Sequence, residues 1–325
     1  MIQFRQHLGV VLHPSDEGFD RGGATFACII TDPSNKYDYL YYTGSTDATW
    51  TKASIGVAKR QDGVCFQRYS GNPLISIGDQ SVTPSVFRTP EKYWMVFAFR
   101  PKMRSGRRLG IATADDPLGP WEFVDDLIVS RDPWEGGSID IGPSLAKLNE
   151  QEYLIYYSNV PNNGLRNAIL HGRHWRRRIG ILRLFVSGSK VRAERWTENP
   201  LDHLNGARGA WNESLFCPGY FVFGDKHYLL PAAATYSVGF PYRQYIGSVE
   251  DSSPYFESPN IIRPLVSGTE LGRNIIAGLR GEIALDSPCP VLRSKDRVWL
   301  YYSVMDRDDG LWKTALSVFA FDAET

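Results

Sequence analysis

Acidic residues stand at or just before the start of several similar segments of this chain, where they could supply carboxyl groups to one site. These acids are Asp20, Asp79, Asp140, Glu213 and Asp286. Because Asp favours turns, a turn or strand-cap role is an alternative for each acid taken singly. Three of the acids are flanked by Phe19, Trp134 and Trp211, and jointly they favour a carboxylate site lined with aromatic rings.

The elements that must position these acids follow from a repeat, which is clearest at residues 138–145 and 153–158. The first segment carries a carboxylate and then turns apolar, whereas the second has the Tyr, Leu and Ile content of a pleated, half-buried strand. Five copies are present, and their aromatic strands begin near residues 37, 93, 153, 227 and 298. Each copy adds a third strand and an outer strand, so the unit is a four-stranded antiparallel sheet.

Long, uneven repeats of four strands are typical of a β-propeller. We therefore predict an all-β fold, a five-bladed β-propeller with four-stranded antiparallel blades around a central channel, with residues 1–325 forming a single catalytic domain. No helical periodicity is sustained, which excludes a doubly wound α/β fold. In a propeller the innermost strands line the channel, so acids at their starts converge at one mouth of it.

The outer strands are the least well marked part of the repeat. We predict them at residues 64–68, 121–123, 190–196 and 255–256, and we expect the last copy to end with 314–321. Residues 9–23 are rich in glycine and contain Pro14 and Asp16, and we predict that they form a loop.

Composition narrows the class of partner. Aromatic residues make up 13% of the 325-residue chain, and they suit both strands and the stacking of sugar rings. The 36 basic and 36 acidic residues balance, so we expect neither nucleic acid nor a membrane as a partner. The four cysteines are far apart, without the spacing of a metal site, and are predicted to be small buried thiols. Free thiols and the lack of a signal-peptide pattern near Met1 predict a cytoplasmic protein.

The segment Ser138-Ile139-Asp140-Ile141-Gly142-Pro143-Ser144-Leu145 resembles a motif of propeller glycoside hydrolases of the family-43 type, which includes arabinanases, arabinofuranosidases and β-xylosidases. The stretches around Glu213 and Asp20 resemble that family's acid-bearing and base-bearing segments. The resemblance implies that Glu213 is the general acid, that Asp140 orients it and tunes its pKa, and that Asp20 is the base. It also implies an oligosaccharide substrate, with arabinofuranosides or xylosides as the expected sugars, and no cofactor. The reaction inverts configuration if the acid and base lie far enough apart to admit water, as we expect, and retains it if they are close.

Two departures from the family pattern stand out. Asp20 is followed by Arg-Gly-Gly rather than by proline, and the stretch Leu279-Arg280-Gly281-Glu282 lacks the histidine that the family often has near the channel. A channel Ca²⁺ or Na⁺ ion is therefore not supported by the sequence, and Arg280 is expected to bind substrate. Asp79, Trp134, Trp211 and Asp286 complete the predicted substrate-binding set, although core packing is an equal alternative for the tryptophans.

Three other functions stay open at this point. A glycoside phosphorylase of the mannoside-acting propeller type would use one acid and hold phosphate with arginine and histidine, for which Arg173, His174 and Arg280 are the candidates. The basic run at residues 171–178 suits an anionic sugar, a phosphate or a carboxylate, with a solvated strand edge as its alternative. A fructoside-cleaving relative lacks its expected Trp-x-Asn-Asp-Pro opening here, and a carbohydrate-binding propeller would need no acid and base pair. The sequence leaves the oligomeric state open.

Overall fold

The structure, a computed structural model, describes residues 2–32, 34, 36–160, 176–196, 200–237, 240–273, 284–305 and 309–321. These residues form five antiparallel blades arranged in a ring, so the prediction of an all-β, five-bladed propeller is confirmed. Blades I, II and V are also joined by single-residue parallel contacts between the strands of neighbouring blades.

Each blade runs from an inner strand at the channel to an outer strand at the rim. Blade I contains β2 (Gly23–Thr31), β3 (Asp38–Ser45), β4 (Ala53–Arg60) and β5 (Gln67–Arg68). Blade II contains β6 (Gln80–Arg88), β7 (Tyr93–Arg100), β8 (Arg108–Ala114) and β9 (Glu122–Ile128). Blade III contains β10 (Ile139–Lys147), β11 (Glu152–Asn159), β12 (Ile179–Ser187) and β13 (Lys190–Arg195). Blade IV contains β14 (Ser214–Phe223), β15 (Lys226–Ser237), β16 (Phe240–Asp251) and β17 (Ile261–Ser267). Blade V contains β18 (Ala284–Leu292), β19 (Arg297–Met305), β20 (Trp312–Phe321) and, as its outer strand, β1 (Ile2–Leu12).

Strand β1 closes the ring, and the prediction that residues 9–23 form a loop is wrong for residues 9–12. The strand pairs antiparallel with β20 from Ile2 opposite Phe321 to Leu12 opposite Thr314. Ile2, Val11 and Leu12 are buried, so apolar packing holds this end of the chain on the last blade. The glycine content of the stretch obscured the strand, because Gly9 lies at a register break with a left-handed φ of 90°.

Two other outer strands also differ from the prediction. Strand β5 has only two residues, because residues 69–79 turn back across β4 to reach blade II. In blade IV the outer strand is β17, and residues 255–256 lie in the connection that precedes it. There Phe256 is fully buried and its backbone oxygen accepts a hydrogen bond from His203, so its aromatic character serves core packing.

The boundaries between blades hold the core. Among the described residues, each pair of neighbouring blades encloses a cluster of buried apolar side chains. Blades stack face to face, so their middle strands are buried on both faces rather than half-buried as the sequence suggested; every residue of β3 is buried. Adjacent tyrosines such as Tyr41 and Tyr42 therefore face opposite neighbouring blades.

Helices contribute little to the described part of the chain. They are α1 (Gly268–Arg273) and two short 3-10 turns, Pro133–Glu135 and Asp202–Leu204. None of the helices in the described ranges is long and apolar enough to cross a membrane.

Candidate active site

The inner strands β2, β6, β10, β14 and β18 lie side by side around the axis, and each breaks register shortly after it begins. At four of these breaks a residue other than glycine takes a left-handed φ: Phe26 (54°), Thr83 (51°), Cys217 (41°) and Ser287 (42°). Such conformations cost energy and concentrate at functional sites. Proline follows each of the last three residues, so a proline inside the inner strand marks the register break in the sequence.

Asp140 lies at the mouth of the channel near the start of β10 and is 4% exposed. Thr83 Oγ1 donates a hydrogen bond to its Oδ1 at 2.6 Å, and the backbone N–H of Ile141 donates to the same oxygen at 3.0 Å. Arg107 Nη1 binds its Oδ2 at 2.5 Å. Both carboxylate oxygens are thus fixed by neighbours, and Thr83 reaches Asp140 because of the strained break in β6.

Asp286 stands just before the break in β18 and keeps some solvent-accessible surface. The backbone N–H of Ser287 donates to its Oδ1 at 2.7 Å, and Ser287 Oγ donates to the same oxygen at 3.1 Å. Burial raises the pKa of Asp286 above its ordinary value; the nearby Arg177 opposes this rise and Asp140 adds to it. Asp286 and Asp140 are therefore two neighbouring carboxyl groups in different environments.

Arg177 connects blade III to this pair. Its Nε donates to the backbone oxygen of Asn159 at 2.9 Å, and its Nη2 donates to Ser158 Oγ at 3.1 Å and contacts Cys217 Sγ at 3.5 Å. Its guanidinium lies 4.2 Å from the centre of the Phe216 ring. We call Asp140, Asp286, Arg107, Arg177, Thr83 and Cys217 the channel cluster.

Glu213 lies on the loop before β14, at the same end of the ring as the start of every inner strand. It is half-buried, and its Oε2 accepts a hydrogen bond from the backbone N–H of Gly209 at 2.9 Å. Its backbone oxygen accepts hydrogen bonds from Arg176 and Asn205, each at 3.1 Å. Glu213 thus stands on a tightly held loop at the end of the ring where the inner strands begin.

Asp20 is placed differently, inside blade I. It is 2% exposed, and its Oδ2 accepts hydrogen bonds from Tyr42 at 2.9 Å and from Arg68 Nε at 2.7 Å. Its Oδ1 accepts a hydrogen bond from Ser15. Tyr42 lies on β3 and Arg68 on β5, so the carboxylate ties the second strand of the blade to its outer strand.

Blade III contains the same arrangement around Glu135. Tyr157 on β11 donates to Glu135 Oε1 at 2.7 Å, and Arg195 on β13 binds the same oxygen at 2.8 Å. The strand registers also match. Each tyrosine pairs with a glycine of the third strand, Tyr42 with Gly56 and Tyr157 with Gly180. Each arginine pairs with the residue two positions after that glycine, Arg68 with Ala58 and Arg195 with Leu182. We call each carboxylate with its tyrosine and arginine a blade staple.

The comparisons with known proteins agree with this architecture. The chain is similar to a thermostable family-43 glycoside hydrolase, with 15% identity over 93% of this chain and 90% of the other and a TM-score of 0.61. It is similar to the Bacillus subtilis arabinanase (14% identity, 93% and 96% coverage, TM-score 0.56) and to the catalytic domain of the Coprinopsis cinerea GH62 α-L-arabinofuranosidase (12% identity, 99% of both chains, TM-score 0.61). No family model matches the chain. The fold is that of the family-43-type glycoside hydrolase propellers.

The predicted sugar-stacking tryptophans both pack on glycines of this propeller. Trp134 is half-buried above Gly180 and lies 5.4 Å from Tyr157 between ring centres. Trp211 is half-buried above Gly247. A Cβ atom at either glycine would come within 2.8 Å of the indole, so these contacts fix each tryptophan on its blade. Their role as substrate platforms stays a prediction.

The remaining predicted residues are divided between the mouth and the undescribed part of the chain. Asp79 is half-buried before β6, and its Oδ2 accepts the backbone N–H of Met103 at 2.7 Å, which holds the loop after β7. Arg280 and residues 171–175 of the basic run lie outside the described residues. Arg176 and Arg177 from the same run do reach the mouth. Within the described ranges, no three His, Cys, Asp or Glu side chains are grouped as a metal site would need.

Sequence reasoning missed Arg107 and Thr83, and it included Arg177 only as part of a charged run. Arg107 precedes β8 and has no motif around it. Thr83 had a signal that was available, because Thr83-Pro84, Gly142-Pro143, Cys217-Pro218 and Ser287-Pro288 mark equivalent positions of four blades.

Proposed function

We propose that this protein is a glycoside hydrolase that cleaves O-glycosidic bonds at the mouth of the propeller channel by carboxyl acid and base catalysis. The observation that carries the proposal is Asp286, a largely buried but solvent-reachable carboxyl with a raised pKa, beside Asp140 and Arg177. Glycoside cleavage needs one carboxyl group that stays protonated and one that is ionised.

Asp286 takes the role of general acid in this proposal. A raised pKa keeps the proton available near neutral pH, where it can be given to the leaving oxygen. Asp140 takes the tuning role expected from the sequence, because its charge disfavours ionisation of Asp286. The acid so tuned is Asp286, whereas the sequence had suggested Glu213.

Glu213 takes the role of the carboxylate that activates water. It is half-exposed at the same end of the ring and has a fixed backbone. Asp20 was the sequence-based candidate, but its oxygens already accept hydrogen bonds from Ser15, Tyr42 and Arg68 within blade I. If the acid and base are separated enough to admit water between them and the sugar, the reaction inverts configuration.

Arabinofuranosides or xylosides are the proposed sugars. The arabinanase and arabinofuranosidase among the similar structures support this choice. A glycoside phosphorylase is the second candidate, favoured by the arginines Arg100, Arg107 and Arg177 around the two aspartates, since guanidinium groups bind phosphate well.

The test is a panel of 4-nitrophenyl glycosides, containing α-L-arabinofuranoside, β-D-xyloside, β-D-mannoside and β-D-galactoside, assayed with and without phosphate. The variants are Asp286→Asn, Asp140→Asn, Glu213→Gln and Asp20→Asn, with the exposed Asp62→Asn as matched control. Loss of a general acid should lower kcat by roughly 10²–10⁴-fold. The loss should shrink for a 2,4-dinitrophenyl glycoside, whose leaving group needs no proton.

The proposal is supported if the wild-type enzyme turns over a glycoside without phosphate and if Asp286→Asn lowers this turnover more for the 4-nitrophenyl than for the 2,4-dinitrophenyl glycoside. Turnover that requires phosphate moves the protein to the phosphorylase candidate. An Asp286→Asn enzyme as active as Asp62→Asn would remove Asp286 from the chemistry. Sugar binding without turnover by wild type, and equally by Glu213→Gln, would indicate a carbohydrate-binding propeller.

A further inference from the structure

Arg100 ends strand β7 at the mouth of the channel, and no side chain of the described residues is bonded to its guanidinium. The side chain is half-buried, and its Nε is shielded from solvent without a hydrogen-bond partner among the described residues. No described carboxylate forms an ion pair with it. Burial lowers the pKa of Arg100, and the neighbouring Arg107 lowers it further.

The nearby acids are already committed to other groups. Asp140, within electrostatic reach of Arg100, binds Arg107 and Thr83. Asp79, also within reach, accepts a hydrogen bond from the backbone of Met103. A half-buried guanidinium without a partner is unfavourable, since buried charges in proteins are normally paired. The position therefore suits an anion that arrives with the ligand.

We infer that Arg100 binds the carboxylate of a uronic acid residue in the substrate. This inference rests on the proposed function and narrows its substrate class from neutral to uronate-bearing glycosides. The planar guanidinium can pair with a carboxylate through two parallel hydrogen bonds.

Inorganic phosphate is the other source of such an oxyanion. Arg107 is occupied by Asp140 and Gln80, and Arg177 by Ser158 and the backbone oxygen of Asn159. Of the three arginines around the two aspartates, Arg100 is therefore the one whose guanidinium has no bonded partner among the described residues. One positive charge matches a carboxylate monoanion better than a phosphate that is mostly dianionic near neutral pH. Together with the adjacent negative charges of Asp140 and Asp79, this favours the sugar carboxylate.

The experiment compares substrates that differ only in the carboxylate. One pair is 4-nitrophenyl β-D-glucuronide with the β-D-xyloside; the other is 4-nitrophenyl β-D-galacturonide with the α-L-arabinopyranoside. The variant is Arg100→Gln. Its matched control is Arg108→Gln, because Arg108 begins the adjacent strand β8 and pairs outward with Asp126 at 2.6 Å. Binding of D-glucuronate, D-galacturonate and inorganic phosphate to Asp286→Asn, with and without Arg100→Gln, is measured by calorimetry.

We expect one of the uronides to be preferred over its neutral partner. Arg100→Gln should raise its KM by about 10–100-fold with kcat nearly unchanged, the range expected for loss of a charge-assisted hydrogen bond. The neutral partner should change less than about twofold, and Arg108→Gln should leave both unchanged.

The inference is overturned if neither uronate binds, if Arg100→Gln affects charged and neutral substrates equally, or if phosphate alone depends on Arg100. Turnover of neutral glycosides without uronate binding would sink the inference and keep the proposed function. Uronate binding through Arg100 without turnover of any glycoside would keep the inference about Arg100 and overturn the proposed hydrolase function.

Discussion

Blade I and blade III hold a buried carboxylate in the same way, although only the one in blade I resembles a catalytic segment in sequence. Each carboxylate follows an aromatic residue that packs on a glycine of the third strand, and each is bound by a tyrosine and an arginine of its own blade. The equivalent residues are Phe19 and Trp134, Asp20 and Glu135, Tyr42 and Tyr157, and Arg68 and Arg195. Because the acid recurs together with its tyrosine and arginine partners, its position is explained by the need to hold the strands of one blade together.

Asp286 contrasts with both blade staples. It stands at the register break of an inner strand, its hydrogen bonds come from the adjacent Ser287, and its charged neighbours belong to another blade. In the blade III staple, the effect of burial is outweighed by hydrogen bonds from Arg195, Arg131 and Tyr157, which hold the pKa of Glu135 below its ordinary value. Around Asp286, burial and a neighbouring carboxylate favour the protonated form. The difference separates carboxyl groups that stabilise the fold from those suited to proton transfer.

The largest effect should come from Glu135→Gln. Glu135 is fully buried, and removing its charge leaves Arg195 without its main partner. Breaking a buried ion pair from one side costs roughly 3–5 kcal/mol in the free energy of unfolding. Urea unfolding measures this loss, and Glu150→Gln, which breaks an exposed pair with Lys147, is the control with an expected cost under about 1 kcal/mol. Equal losses in the two variants would contradict the staple.

Asp20→Asn should cost less, about 2 kcal/mol, because Arg68 is 32% exposed and can turn to solvent. The same measurement is paired with kcat determined well below the melting temperature. A staple role predicts lower stability with kcat within about tenfold of wild type. A kcat loss of 10³-fold or more without loss of stability would return Asp20 to the catalytic base predicted from the sequence.

The sequence predicted the fold better than the site, for a physical reason. Blade strands can be recognised from runs of aromatic and β-branched residues, because packing between blades favours those residues within each strand. The outer strand β1 was missed because it is far in sequence from its partner β20 and because Gly9 made its end resemble the glycine-rich loop that follows.

The site depends on which side chains meet across blades, and spacing along the chain does not encode that. Asp140 was predicted through its motif and Asp286 as one of five acids, and the structure places the two near each other. The sequence could not show that Asp20 points into its own blade, where Tyr42 and Arg68 bind it, because an acid before an inner strand can point either way; its role as the base stays a prediction. Thr83 and Arg107 reach Asp140 from blade II, across the boundary with blade III.

Blade V offers a third version of the staple, with His7 in the arginine position and Ser317 in place of the carboxylate. Tyr302 contacts Ser317 Oγ at 2.7 Å and His7 Nδ1 at 3.2 Å. Burial lowers the pKa of His7 from 6.5 to about 4. The folded state therefore favours neutral His7, and stability should fall as the pH drops from about 6.5 toward 4.

The expected loss is on the order of 1–2 kcal/mol after allowance for the partial exposure of His7. Thermal unfolding of wild type and His7→Gln across this pH range measures it, with the exposed His203→Gln as control. Parallel curves for wild type and His7→Gln would show that protonation of His7 does not weaken β1 on the last blade.

The smallest effect, and the sharpest test of the comparison, concerns the pH dependence of the free energy of unfolding. Glu135 and Asp286 should change it with opposite signs. Burial alone would raise the pKa of Glu135, but hydrogen bonds from Arg195, Arg131, Tyr157 and Asp132 hold it below its ordinary value. The advantage of wild type over Glu135→Gln is therefore present above pH 4.5 and is lost as the pH falls through the lowered pKa.

Asp286 should behave in the opposite way. Because its pKa is raised above 3.8, the folded state binds more protons than the unfolded state, and ionisation costs stability as the pH rises through the folded pKa. Wild type should therefore lose stability relative to Asp286→Asn as the pH rises, while it gains relative to Glu135→Gln. Urea unfolding of the three proteins from well below pH 4 up to pH 8 measures both slopes, that of Glu135 at the acidic end below pH 4.5 and that of Asp286 above pH 3.8. Slopes of the same sign would mean that the channel carboxyl is one more structural acid, because only a group held protonated by its surroundings favours folding at low pH.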